Sequence, residues 1–528
     1  MKPYTLLVAS ILLGVLHVPL APVSEAKEVR LAYKSDATSL DSYQNWDQAS
    51  LSLSMNFYDP LVDYDTDVGF IPRLATRWEQ AEPTRWRFVL RQGVKFHDGR
   101  DFTADDVVFS AKRMLDPNSK GRNVLRGVKD VIAVDAHTVD FVTESPNPYL
   151  INQFNSWMIM SKGWSEANNA QRPADFSKGE VGYAATRVNG TGPFMLESRE
   201  AGVRTVAVRN PNWWGNKEYP DHGISRITMQ IIGSDPTRVA ALLSGELDLV
   251  APVAPQDVER IRAAKGLTLH VGQEARAVFL GMDQWRDELL YSNVKGKNPF
   301  KDVRVRRAIA HAIDTDAVNR VVFRGTIKPA NAIIFEGVSG WSEKYKRLPV
   351  DLKAARALLA EAGYPNGFEV TLDCSNDREV GDAEACQALV SLLARIGIKV
   401  HLLAQTTSRW NAKILSLDTS MYRFSWGANG WASLNTLNDL VGCKPAGRFG
   451  FNMGGYCNKQ IDELAAQARA EPDRNKRYAL IEKAWMLVTD DLPYIPLYTN
   501  PILWASKDTV SIRVRPDLRI YWPTIRVK

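Results

Sequence analysis

The residues best suited to chemistry gather in one stretch, Phe424-Ser425-Trp426-Gly427-Ala428-Asn429-Gly430-Trp431. Gly427 and Gly430 carry no side chain, so a small molecule can lie directly against main-chain N–H and C=O groups there. Trp426 and Trp431 add flat apolar walls with one donor each, and Asn429 adds a neutral amide. This set suits non-covalent recognition. Bond-making machinery has no comparable carrier: GxSxG, HExxH and GxxxxGK[ST] are all absent, and no close His–Ser or His–Cys pairing stands out. The acidic pairs Asp105-Asp106 and Asp490-Asp491 fall at predicted helix ends, and His97-Asp98-Gly99 is a tight-turn signal. A secreted hydrolase is therefore the minor alternative to a binding protein.

Several elements must hold that stretch in place. Residues 421–424 predict a buried strand entering the loop, and 434–440 predict a helical stretch leaving it. Upstream, alternation predicts strands over 29–34 and 86–90, with a helix over 51–58. Thr103 and Asp106 form a capping pair for the helix that follows them. Gly190-Thr191-Gly192-Pro193-Phe194 marks a chain crossing; it lacks the third glycine of a nucleotide fingerprint. A strand over 227–232 and a helix over 235–243 come next. Val305, Ala308, Ile309, Ala312 and Ile313 share one helix face. Asp351 opens another helix, ended by Gly363 and Pro365. A strand over 368–372, a helix over 383–396 and a strand over 398–402 follow. Such alternation implies an α/β fold with a mixed, mostly parallel sheet covered by helices. Residues 482–488 predict the last clear helix, and the chain closes through Pro493-Tyr494-Ile495-Pro496-Leu497-Tyr498 into short strands.

Length and composition set the frame. At 528 residues, two or three lobes are expected. Hydrophobic residues make up 45% and charged residues 24%, as in soluble globular proteins. Lys2, an apolar run to about Leu20 and Ser24-Glu25-Ala26 define a cleavable secretory signal over 1–26. No later stretch reaches the roughly 18 apolar residues of a spanning helix. The net charge of +6 is spread without a basic run, which argues against nucleic acid. Cys374, Cys386, Cys443 and Cys457 fit an oxidising compartment. Three pairings are possible, and a zinc site is the other reading, although no CxxC occurs. No cysteine stands at the signal cleavage point to take a lipid, so a free periplasmic protein is expected.

Taken together, these pieces resemble the extracytoplasmic solute-binding proteins of ABC importers, in the class of oligopeptide- and dipeptide-binding proteins. Seven landmarks stand in order: Phe96-His97-Asp98-Gly99 with Phe102-Thr103-Ala104-Asp105-Asp106-Val107; Gly190 to Phe194; Asn212-Trp213-Trp214-Gly215; Val305-Arg306-Arg307-Ala308-Ile309 through Asp314; Leu359-Ala360-Glu361-Ala362-Gly363-Tyr364-Pro365; Ile396-Gly397-Ile398-Lys399-Val400; and Pro493 to Tyr498. The resemblance implies a two-lobed clamp closing about a hinge on a peptide or peptide-like solute. Lobe I would comprise 27–56, 190–276 and 497–528, with an extra domain inserted at 57–189 and lobe II at 277–496. It also implies delivery to membrane permease subunits powered by a separate ATPase, with no catalysis and no cofactor; the chain itself is expected to be a monomer.

The same resemblance places ligand contacts at Trp46, Asp47 and Gln48; at Trp426, Gly427, Ala428 and the Asn429 position; and at Tyr494 or Tyr498, to which the reading of the loop itself adds Trp431. Where the family's peptide binders usually carry an aspartate for the peptide amine, this chain has Asn429. An oligosaccharide, opine or modified peptide is thus the runner-up ligand. Arg423 matches an arginine that approaches ligand C-termini, and Arg378 lies in a loop where dipeptide binders place one. Guanidinium forks suit carboxylates. A Cys443–Cys457 bridge would match the disulfide beyond the central loop in dipeptide binders.

Overall fold

Two strands tie the molecule together, Leu267–Met282 and Tyr494–Lys507, each long enough to cross from one half of the chain to the other. The computed structural model describes residues 27–44, 46–65, 69–219, 223–427 and 429–528. The expected signal segment and Ala428 lie outside the described residues.

The main sheet runs in the order Lys399–Gln405, Glu369–Ser375, Met421–Gly427, Leu267–Met282, Tyr494–Lys507, Leu249–Ala251, Lys27–Tyr33, Ile224–Ile231, Arg204–Arg209 and Phe194–Glu200. Pairing is parallel around Glu369–Ser375 and around Lys27–Tyr33. It is antiparallel through the two long strands at the centre. The sheet is therefore mixed, with the predicted helix–strand alternation giving parallel pairs only within each half. The closing segment also differs from the short strands expected. Tyr494–Lys507 is continuous despite Pro496 and Pro501, because proline sits where the ladder is already irregular. Register breaks occur between Gln273 and Ala277 and between Val278 and Phe279, opposite those prolines. Residues 274–276 are left without a partner in the neighbouring long strand, which makes this crossing a natural hinge.

Local chemistry explains the helices. Thr103 and Asp106 form the predicted reciprocal cap, with Thr103 N donating to Asp106 Oδ2 at 2.9 Å. Asp351 accepts from Lys353 N and Ala354 N. The helix Asp235–Leu243 begins at Ser234 with a proline in its first turn. The expected helix over 434–440 is Ser433–Thr436 running into a wider π turn, Leu437–Val441.

Glycine at 190 and 192 is a packing requirement. A Cβ there would lie 2.0 Å from the Phe57 carbonyl oxygen and 2.5 Å from the Phe57 carbonyl carbon, respectively. His97 N donates to Gly190 O at 2.8 Å, and the His97 ring meets Gly192 O at 3.1 Å. Burial lowers the His97 pKa to about 4, so the ring is neutral and structural.

Among the described residues the apolar interior falls into four clusters. One runs continuously through the segments around 29–231 and 502–525, including Phe57, Phe88, Phe141, Trp157 and Trp522. A smaller one lies on the other side of the same sheet around Ala32, Leu242 and Leu503. The remaining two flank the other half of the sheet, around Ile309 and Leu393 and around Trp410 and Trp485. Two halves with separate interiors, joined by two strands, form a clamp.

Candidate functional site

Between the halves lies a cleft of about 740 Å³, within the roughly 300–1,000 Å³ typical of small-molecule sites. One wall carries Lys34 and Gln256; the other carries Arg324, Arg378, Glu379 and Glu384. The loop bearing Arg378 and Glu379 is clamped at both ends. Cys374, next to the end of the strand Glu369–Ser375, bonds to Cys386 in the helix Asp382–Ala394. Cys443 and Cys457 form the second disulfide. All four thiols are thus paired with one another, which leaves none for the zinc alternative.

Behind that wall is a dense ionic network. Arg423, 2% exposed, donates to Glu379 Oε2 at 3.0 Å, pairs with Asp382 Oδ1 at 2.6 Å and reaches the Tyr498 hydroxyl at 3.1 Å. Ser425 Oγ donates to Glu379 as well. Arg276 lies 4.0 Å from Glu379 and 2.7 Å from Glu274. Burial pushes the Glu379 pKa up, but Arg423, Arg276 and Arg378 outweigh it and the carboxyl is held below its ordinary value. Burial raises Asp382, with Arg423 opposing. Burial also works against the Arg423 charge, yet Tyr498, Asp382 and Glu379 outweigh it, so Arg423 is raised.

Arg378 is different. Its side chain is 24% exposed, and its nearest carboxylate, Glu379, is 3.9 Å away. Its guanidinium sits over Trp410 and Phe424, 5.2 and 5.0 Å from the ring centroids. Burial and the charges of Arg276 and Arg423 lower its pKa, Glu379 opposing. This guanidinium is held by aromatic faces and makes only a long, 3.9 Å ion pair with Glu379, which itself is shared with Arg423, so it is poised for an incoming anion.

The other sequence-predicted residues fall in several places. Gly427 lies opposite Arg276 across the strand pair, where a Cβ would make an ordinary contact with Arg276 Nη2 at 3.5 Å. Trp426 packs against Phe424 and Phe451, and its indole N–H is buried without a protein partner. Trp431 is stacked on Tyr64 at 4.5 Å, a ring from the opposite half of the chain. Beside it, Asn152 Nδ2 donates to Gly430 O at 2.7 Å, and the Tyr64 hydroxyl donates to Gly337 O at 3.0 Å. Asn429 follows in a short turn whose next residue, Gly430, has φ +63°.

Asp47 is exposed and caps the helix Gln48–Ser54 by accepting from Ser50 N and Ser50 Oγ. Gln48 donates to Asp517 O. Trp46 packs on Gly121, where a Cβ would come within 2.5 Å of the indole. Tyr494 is buried, its hydroxyl donating to Leu440 O at 2.6 Å, and Tyr498 serves Arg423. The residues that sequence reading missed are Glu274 and Arg276, at the hinge, and the carboxylates Glu379 and Asp382. The visible signal for the first two was the charged pair inside an otherwise apolar strand, Glu274-Ala275-Arg276-Ala277-Val278.

A pair of lobes joined by two long strands, with a polar, charged cleft between them, defines a solute-binding clamp. The match to the model of bacterial extracellular solute-binding proteins, family 5 (Middle), covers residues 69–448, and the chain belongs to that family. The glutathione-binding protein GsiB of Salmonella typhi is 27% identical over 505 residues, 94% of each chain. The structure is similar to HbpA2 from Haemophilus parasuis, with TM-score 0.81, 23% identity, and 95% and 100% of the two chains covered. It is also similar to the periplasmic binding protein DppA from Helicobacter pylori in complex with the peptide STSA. There the TM-score is 0.72 at 24% identity, with 95% and 98% covered. Among the described residues, no helix is long and apolar enough to cross a membrane.

Proposed function

We propose that this chain is the periplasmic solute-binding component of an ABC importer and that its solute is a peptide or peptide-like acid. After removal of residues 1–26, the clamp takes the solute into the cleft and presents the closed form to membrane permease subunits, without chemical turnover. The lobes follow the division given by the resemblance: 27–56, 190–276 and 497–528 against 277–496, with 57–189 inserted. The insert shares one continuous apolar interior with the first lobe, which supports treating the two as a single moving body.

The observation that carries this reading is Arg378. Of the two arginines expected to meet a carboxylate, Arg423 is spent on Glu379 and Asp382, whereas Arg378 faces the cleft. A carboxylate reaching Arg378 gains a charge-assisted, bidentate contact. Likeness to glutathione-binding proteins supports a small peptidic acid of this kind. A sugar fits less well, because Trp431 is buried under Tyr64 and Trp46 turns part of its ring onto Gly121, which leaves less indole surface for stacking.

Calorimetric titration with a tripeptide as free acid and as C-terminal amide tests the proposal. The acid should bind at least tenfold more tightly, about 1.4 kcal/mol, and Arg378→Ala should abolish the difference. Equal affinity for acid and amide in the unaltered protein would refute it.

A further inference from the structure

A peptide-like solute that brings a carboxylate to Arg378 also brings an ammonium, and a desolvated ammonium needs acceptors. Most acids around the cleft are already committed. Glu379 and Asp382 hold Arg423, Asp235 pairs with Arg238, and Asp377 accepts from Thr407 N and Oγ1. Asp47 is an exposed cap, and Glu384 is an exposed residue in the first turn of its helix, where an ion pair is worth little.

Glu274 also holds an arginine, Arg276, but it stands beside an acceptor that has no partner. It lies in the hinge bulge, two residues before Arg276 and beside the strand end that opens at Gly427. Its side chain is 14% exposed. Oε1 accepts from Arg276 Nε at 2.7 Å and Oε2 from Asn500 Nδ2 at 3.2 Å, leaving lone pairs on both oxygens. Asn500 is 3% exposed, and its Oδ1 is buried with no hydrogen-bond partner. The amide orientation is fixed, because turning it over would set Oδ1 against the Glu274 carboxylate. An unmet acceptor therefore stands next to a partly open carboxylate, the arrangement an –NH₃⁺ group satisfies.

We propose that Glu274, with Asn500 Oδ1 beside it, receives the ammonium of the solute, so that the hinge strands and the Arg378 loop read its two ends. The inference rests on the peptide-like reading given above. The order of charges agrees with it: Glu274, Arg276, Glu379 and Arg378 follow one another at 2.7, 4.0 and 3.9 Å, with an acid at one end and a guanidinium at the other. Tyr33, on the first strand of the same lobe, feels the same acid: burial first, then Glu274 and Asp47, pushes its phenol up to about 12. It stays protonated and can add a further contact to a solute held at Glu274.

Equilibrium dialysis of the mature protein against an equimolar mixture of di- and tripeptides, half of them N-acetylated, tests this by mass analysis of what is retained. Unaltered protein should retain free-amine members over acetylated ones at least tenfold. Glu274→Gln should erase that preference, and Glu463→Gln, exposed on the helix Lys459–Ala470 away from the cleft lining, should keep it. Asn500→Ala, which preserves the Glu274–Arg276 pair, should reduce the preference severalfold and carries the test if Glu274→Gln does not fold. A preference unchanged in the Glu274 variant, or in Asn500→Ala if the former is unfolded, overturns the inference. Equal retention of both halves by unaltered protein overturns it and leaves the peptide reading standing. Retention of neither half sinks both.

Discussion

Replacing Arg423 by alanine should damage stability more than ligand contact. The side chain is enclosed, and its removal strands two buried carboxylates, Glu379 and Asp382, and the buried Tyr498 hydroxyl. Breaking a buried pair by deleting one partner costs roughly 3–5 kcal/mol, because the other charge stays desolvated. For a cooperative unit of about 150–250 residues, each kcal/mol lowers the melting temperature by roughly 2–4 °C. Arg423→Ala should therefore melt about 6–20 °C below the parent by differential scanning calorimetry. Removing the stranded charges as well, with Arg423→Met, Glu379→Gln and Asp382→Asn combined, should recover most of that loss. A melting temperature within about 2 °C of the parent, with solute binding lost, would refute this reasoning and return Arg423 to the ligand.

The same network has a pH signature. Glu379 has a folded pKa held below its ordinary value, so its ionic stabilisation is full above about pH 4.5 and fades as pH falls toward the lowered value. Glu379→Gln should melt lower than the parent at pH 7, with the gap closing under acid; a gap independent of pH would contradict the assignment. Across the lobes, Tyr64→Ala with Asn152→Ala removes the stack on Trp431 and the bond to Gly430. Those contacts are worth about 2 kcal/mol together, so solution scattering should show a larger radius of gyration, and an unchanged profile would count against a closing contact here.

Much of this architecture could be read from local patterns. The capping pair Thr103/Asp106 and the cap at Asp351 depend on neighbours a few residues away, and both stand as expected. The glycines of the 190–194 crossing mark the close approach to Phe57, which is again a short-range steric need. The site was harder to read because its partners are distant in sequence. Arg423 was legible as an arginine near the central loop, but its fate depends on Glu379 and Asp382. Those are brought beside it only by the parallel pairing of Glu369–Ser375 with Met421–Gly427. Tyr494 and Trp46 look like cleft aromatics in a one-dimensional reading and are packed inside by tertiary contacts. The continuous strand Tyr494–Lys507 was hidden by its own prolines, which a bulged hinge tolerates and an ordinary central strand would not.

Mass analysis of small molecules released by denaturation from protein purified out of its native host tests the central claim most directly. The account expects close to one peptidic species per chain, carrying a free amine and a free carboxylate, with the same mass after prolonged incubation with the protein. A neutral sugar, a cleaved product accumulating with time, or protein isolated with no solute and unable to take up any peptide acid would contradict it.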